Sequence, residues 1–406
     1  MSTKTLQSLL LLPLVALSLA AQPMIVKTST IIDGKGKVLT NQQLTIENGR
    51  ITKIGPAKDK PSIDLSGLTV MPGWIDTHVH ATWYFNKDDR YEAGPGRGSK
   101  TTPEQAALFA ANNMYMTLMG GFTTVQSVGA RLDLDLREMT ANDRIAGPRV
   151  LTSVGQINEK SGNAAAIRAM VQQFKKDGAD VIKLFATASI RDGGKMTMTV
   201  DQINATCDEA KKAGLRAIVH AHASDGAMAA INAGCTTIEH GTFLDDKTLQ
   251  TMASKGVFFD PNFLVLHNYL DNKAKFLGIG NYTAEGFTYM EKGLPEVAAV
   301  LKRARRNNVK VVLGTDGVAG AHGHNAEEFI YRVKDGGDKP MDVITSGTSM
   351  AAESLGLGKQ IGTIAEGMEA DLVATAGNPL DDITNVRKVA FVMKHGKVYK
   401  EVPGGK

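Results

Sequence analysis

The sequence predicts an α/β protein, a (β/α)8 TIM barrel carrying a small β-sandwich formed from both chain ends. Two patterns lead there. Through the middle of the chain, short apolar runs with strand character alternate with amphipathic helical stretches, as expected of parallel strands joined by crossover helices. Both ends instead show alternating polar and apolar residues broken by Asp-Gly, Asn-Gly and His-Gly turns, the texture of antiparallel hairpins.

Residues 24–70 open with strand-like runs at 24–27, 43–47 and 51–54, with turns at Asp33-Gly34 and Asn48-Gly49. The barrel is expected over 71–362. Pro103 and Glu104 start a helix reaching about 119, and 121–128 reads as the next strand. Further on, 201–213 is amphipathic and stops at Gly214, and 215–222 is the fifth strand. A helix over 224–233 ends at Gly234, 236–240 is the sixth strand and 257–260 the seventh. A helix from about Pro295 to 306 leads into the eighth, 309–316, and residues 363–406 return to the end domain.

The strand ends carry the chemistry. His78 and His80 lie in PGWIDTHVH, Lys183 in DVIKLFA, His220 and His222 in IVHAHA, His240 in TIEHGT and Asp316 in VVLGTDG. In a strand, side chains i and i+2 share a face, so each HxH pair points one way. Strand C-termini of a parallel barrel converge on one face, where such groups can meet. Imidazole and carboxylate without cysteine suit Zn²⁺, Mn²⁺, Fe²⁺ or Co²⁺ rather than a structural zinc knot. Lys183 is set among apolar residues, with no sequence-adjacent carboxylate beyond Asp180. Burial of its unpaired charge is costly and favours the neutral amine, which can add CO₂ to become a carbamate ligand. Asp76 shares the parity of His78 and His80 and is expected to orient them. Spacing leaves open which of His220 and His222 is a ligand.

Taken together, PGWIDTHVH, the strand lysine, VHAH, IEHGT, GTDG, HGHN at 322–325 and the closing GTIAEGMEADLVA resemble the amidohydrolase superfamily, in its branch of prolidase-like dipeptidases and N-acyl-amino-acid amidohydrolases. The resemblance runs over nearly all of the chain after residue 23. It implies two divalent metal ions, Zn²⁺ foremost, bridged by carboxylated Lys183. His78, His80 and Asp316 would hold the more buried ion, and His220 and His240 the more exposed one. His222 would face substrate, and Asp316 would also be the general base. The implied reaction is hydrolysis of an amide bond in an X-Pro or other dipeptide or an N-acyl amino acid. A lactonase or phosphotriesterase could use the same ions. A mononuclear deaminase is disfavoured because no glutamate closely follows His220, and a binding scaffold without chemistry because no ligand is missing.

Among the loops, His322, His324 and Asn325 are read either as substrate contacts or as turn-formers, and His267, Tyr84, Arg131 and Tyr269 as loop residues that could reach substrate. Glu327 and Glu328 read as a solvated helix face. A net charge of +4 over 406 residues, with no dense basic tract, gives nucleic acid no footprint. The expected partner is a small molecule, and a homo-oligomer is compatible with the sequence. Residues 1–23, with Lys4 ahead of an apolar run over 6–19 and small residues at 18–21, read as a secretory signal peptide. The run is shorter than the ~20 residues of a membrane span, so the expectation is a secreted or periplasmic protein with no stable membrane insertion. Cys207 and Cys235 are read as two buried free thiols, although an oxidising compartment would also allow a disulfide.

Overall fold

The computed structural model describes residues 22–95 and 99–401. The expected signal peptide falls outside them except for its last two positions. Among the described residues no helix is long and apolar enough to cross a membrane.

The middle of the chain is an α/β unit with two parallel sheets. One has three strands, Trp74–Val79, Phe122–Ser127 and Arg149–Thr152; the other has six, Gln156–Ile157, Val181–Phe185, Arg216–Ala223, Thr237–Phe243, Phe258–Asp260 and Lys310–Val311, each in that order. Backbone bonds meet at both seams. Asp180 N donates to Thr152 O at 2.8 Å on one side. On the other, Thr77 N donates to Leu313 O at 3.0 Å and His80 N to Gly317 O at 2.8 Å.

The eighth strand is far shorter than expected, keeping ladder geometry only at Lys310–Val311. Beyond it, buried carboxylates take over the partners a ladder would supply: Gly314 N donates to Asp260 Oδ1 at 2.8 Å and Thr315 N to Asp76 Oδ1 at 2.9 Å. A Cβ at Gly314 would lie 1.8 Å from Asp260 Oδ2, so only glycine allows this approach.

Helices pack outside the parallel strands. Pro103–Met119 is closed by a capping box between Thr102 and Gln105. The helix expected from Pro295 begins eleven residues earlier, at Ala284, and runs to Arg306. Thr283 Oγ1 accepts from Gly286 N, and Phe287 and Met290 are buried against the main core. That burial holds the first turns although Pro295 removes one backbone donor.

The strands of both chain ends lie side by side in one mixed sheet rather than in two separate ones. Its order is Lys397–Glu401, Val389–Lys394, Leu372–Ala376, Ile63–Pro72, Met24–Ile32, Val38–Glu47 and Arg50–Pro56. Register shifts at Thr28/Thr30, Thr45/Ile46 and Ala374/Thr375 interrupt it. Such irregularities bend a sheet, and one apolar cluster takes Leu44, Ile46 and Ile51 together with Leu372 and Phe391.

Two expectations are corrected. Cys207 and Cys235 form a disulfide, with Cα atoms 5.2 Å apart. It ties the helix Val200–Lys212 to the turn before the strand Thr237–Phe243, and a separation of 28 residues gave no sign of that proximity. Glu328 is not on a solvated face. It is buried and accepts from Phe263 N and Leu264 N at 3.1 and 2.6 Å, while Glu327 remains nearer the surface, bonded to Arg387.

Candidate metal centre

The strand ends deliver two donor groups to one cleft. In the first, His78, His80 and Asp316 bring nitrogen and oxygen atoms within 4.8 Å of one another; in the second, His220, His222 and His240 do the same. Asp316 Oδ1 lies 3.3 Å from His78 Nε2 and 3.0 Å from His80 Nε2. Lys183, wholly buried, places Nζ 3.5 Å from His78 Nε2 and also lines the cleft.

Strand register explains most of this convergence. In the parallel ladder Phe185 pairs with His220, His220 with Glu239, and Glu239 with Asp260. Paired residues share a face, so Lys183, two before Phe185, lies on the same side. Strict alternation would turn His240 away from it. Its backbone breaks the strand with φ +66°, and Asp316 likewise has φ +49°. Both are left-handed conformations that non-glycine residues adopt at a cost and only when their surroundings enforce them. Asn262 does so here, its Oδ1 accepting from His240 N at 3.1 Å and its Nδ2 donating to Gly314 O at 2.9 Å.

Behind the first group stand carboxyl groups. His78 Nδ1 lies 2.8 Å from Glu239 Oε2. Asp260 faces Glu239 across the ladder and accepts from Thr77 Oγ1 at 3.0 Å. Burial pushes Glu239 up to about 7, and burial together with Glu239 drives Asp260 well above the carboxylate range. The role expected of Asp76 is corrected: it meets His78 only through the backbone N–H, at 3.2 Å, and its other bonds go to Thr315 and Asn325. Asp76 thereby shapes the turn that presents Asp316, while Glu239 orients the imidazole. Lys183 has carboxylate neighbours after all, contributed by other strands, yet burial outweighs Glu239, Asp316 and Asp260 and lowers its pKa.

The second group has neutral backing. His222 Nδ1 lies 2.9 Å from Thr242 Oγ1, and His220 Nε2 is 3.3 Å from Ala188 O. Burial drives His78, His220 and His240 well below the ordinary imidazole range and His222 down to about 3. For Asp316, burial acts upward, but His78, His80 and Lys183 prevail and hold its carboxyl below the usual value. The site therefore gathers four imidazoles that burial keeps neutral, His78, His220, His222 and His240, with His80 and an ionised carboxylate, lone pairs turned on one another in a buried space. A divalent cation satisfies that donor set.

A family model described as the amidohydrolase family matches residues 69–399. The chain belongs to the amidohydrolase family. This amidohydrolase is accordingly a hydrolase of a metal-dependent class that acts on carbon–nitrogen bonds. It is 26% identical to ochratoxinase from Aspergillus niger over 94% of this chain and 87% of that protein. It is equally 26% identical to imidazolonepropionase from Paracoccus denitrificans, over 89% of this chain and 93% of the other. Among solved structures, a Xaa-Pro dipeptidase with methionine bound in its active site superposes with a TM-score of 0.83 at 29% identity, covering 93% of this chain and all of that one.

Of the residues expected in loops, His267 and Tyr269 lie instead in the helix Phe263–Asp271, and Tyr269 lines the cleft of this amidohydrolase. His267 pairs with Asp335, Arg131 with Asp177 and Tyr84 stacks on Phe109, all away from it. His322 Nε2 contacts the carbonyl of His80, and His324 lines another groove. Sequence reasoning missed Glu239, Asp260, Arg191 and Thr242. Register counted back from His220 could have found the two acids.

Proposed function

We propose that this amidohydrolase is a binuclear metal-dependent enzyme that hydrolyses an amide bond in a small substrate, an X-Pro or other dipeptide or an N-acyl amino acid. The observation that carries this reading is the pair of donor groups on one cleft, with Lys183 beside them. His78, His80 and Asp316 would hold one ion and His220 and His240 the other. Zn²⁺ is favoured, and Mn²⁺, Co²⁺ or Fe²⁺ suit the same donors. The depressed Lys183 amine suits carboxylation to a carbamate shared by the two ions. Divalent ions bound there supply an acidified water and polarise a carbonyl oxygen.

The protein's own groups complete the reaction. Asp316, ionised and open to the cleft, takes the proton of the attacking water on a carboxylate oxygen and passes it to the leaving amine nitrogen. His222 is neutral. Its Nδ1 lies 2.9 Å from Thr242 Oγ1, and in the tautomer protonated at Nε2 it would donate to the developing oxyanion. Trp83, stacked on His80 with centroids 4.1 Å apart, and Phe185, Val265 and Leu266 line the cleft with apolar surface that keeps bulk water from the reacting atoms. The likeness to a dipeptidase holding an amino acid in its active site supports an amino-acid fragment here.

The nine parallel strands, with Arg149–Thr152 and the two-residue Gln156–Ile157 counted as one, are read as a closed eight-stranded barrel, supported by the backbone bonds at both seams. The mature protein is read as exported, supported by the apolar run over 6–19 and the Cys207–Cys235 disulfide.

Metal-replete protein and its Asp316→Asn variant, incubated with dipeptides, N-acyl amino acids, lactones and a phosphotriester, test the reading. Amide cleavage by the parent that fails in the variant is the expected result. Turnover confined to lactones or the phosphotriester overturns the amide assignment.

A further inference from the structure

Two basic side chains line the cleft, Lys183 among the metal-ligating groups and Arg191. Arg191 takes no part in the chemistry proposed above. It lies in a 3-10 turn, Ile190–Asp192, whose cap Ser189 Oγ accepts from Arg191 N at 3.3 Å. The turn is wedged in place. A Cβ on Gly194 would come within 2.8 Å of His222 Cβ, and one on Gly293 within 2.4 Å of Ile190 Cδ1.

The guanidinium is equally fixed. It stacks over Tyr282 at 4.1 Å and lies 5.3 Å from the centre of Tyr269, whose hydroxyl accepts from Tyr282 at 3.0 Å. Its Nε donates to Asn281 Oδ1 at 3.1 Å, and Asn281 Nδ2 is held in turn by Asp192 Oδ2 at 2.6 Å. Among the described residues its polar neighbours are Asn281 and the hydroxyl of Tyr269, and no ion pair joins it to a carboxylate. Two other arginines enclosed by the fold donate from outer amino groups: Arg332 to Val312 O, with Asp338 within 3.5 Å, and Arg216 to Gln126 Oε1 and Ser354 O. A guanidinium flanked by aromatic rings, with Nε anchored and no carboxylate partner of its own, matches the two oxygens of a carboxylate.

We propose that Arg191 is a specificity-determining residue that binds a free carboxylate of the substrate, and that the apolar wall of Phe185, Val265, Leu266 and Val297 takes the side chain next to it. This rests on the amide-hydrolysis reading, whose dipeptides and N-acyl amino acids all carry such a carboxylate. The enzyme would therefore release an apolar amino acid with a free carboxyl group and discriminate against capped substrates.

The test compares N-acetyl-leucine with N-acetyl-leucinamide, following release of leucine or leucinamide by metal-replete wild type, Arg191→Lys and Arg191→Met. Calorimetric binding of leucine and leucinamide runs alongside. Wild type is expected to favour the acid by about 100-fold or more in kcat/KM, the range seen when one partner of a buried charge pair is removed. That ratio should collapse in Arg191→Met and be reduced in Arg191→Lys, with metal content unchanged. Equal wild-type rates on both substrates, or a preference that survives both substitutions, overturns the proposal. If wild type cleaves neither substrate, the amide reading is what fails and binding decides: leucine binding lost in the variants sustains the carboxylate site, and binding indifferent to Arg191 ends it. Should Arg191→Met not fold, wild type and Arg191→Lys give the same discrimination.

Discussion

His78, His80 and Asp316 stand in front of buried acids, whereas His220, His222 and His240 stand in front of a threonine hydroxyl and a backbone carbonyl. Both groups are built largely of imidazoles, and burial depresses the pKa of His78 in the first and of His220, His222 and His240 in the second, so the difference lies in what is behind them. An ionised Asp316, and acids that burial holds near or above neutrality, give the first group negative charge that appears as a cation enters, since a cation lowers the pKa of each. The second group offers neutral lone pairs and shares the cleft with Arg191. On the proposed reading the first half would hold its cation with charge behind the ligands, and the second would hold its own through neutral donors beside the substrate cleft.

The largest expected effect is on turnover. Asp316→Asn should lower kcat by about 10²–10⁴-fold, the usual contribution of a general base, while elemental analysis finds metal still bound. Full activity in that variant would remove Asp316 from the chemistry and blur the distinction between the halves.

Single-ligand variants probe the halves directly. His240→Ala should lose metal from the second group and retain it in the first, and His78→Ala should do the reverse, as measured by metal content after gel filtration. Parallel loss from both halves in either variant would mean that the two act as one unit. Glu239→Gln is a gentler version of the same experiment. Loss of a partner that orients a ligand commonly weakens a site by about 10–100-fold, so metal titration should show that weakening in the first half only. Thr242→Val, the matching change behind His222, is expected to move metal affinity less than Glu239→Gln does.

The smallest effect supplies a control for buried charge as such. Asp133 is fully buried, its Oδ1 has no hydrogen-bond partner, and burial raises its pKa to about 6 from 3.8. Between those values the unfolded chain has released the proton that the folded protein keeps, so this residue makes stability fall as pH rises from about 3.8 to about 6. Asp133→Asn cannot ionise and should flatten that part of the melting-temperature profile without changing metal affinity. A change in metal binding would show that the electrostatic backing of the first half extends beyond Glu239 and Asp260.

Much of the site could be read from the chain because its chemistry is local. HxH parity and the apolar runs that end in Lys183, His240 and Asp316 follow from a period-two backbone, and they named the side chains that gather at the cleft. Glu239 was overlooked although it immediately precedes His240, because alternation assigns neighbours to opposite faces and only the left-handed backbone at His240 brings both inward. The eighth strand was drawn too long for a related reason, since its later backbone N–H groups bond to Asp260 and Asp76 instead of continuing a ladder.

By itself the sequence determined which residue types close the strands, how each HxH pair faces, and that both chain ends have a separate β texture, because these depend on neighbours a few residues apart. Tertiary structure alone decided that Cys207 meets Cys235, that Asp76 holds the Asp316 turn rather than an imidazole, and that Arg191 has no carboxylate partner beside the cleft. Those outcomes depend on how strands and loops distant in sequence are brought together, and the energy of a buried charge is set by whatever surrounds it in space.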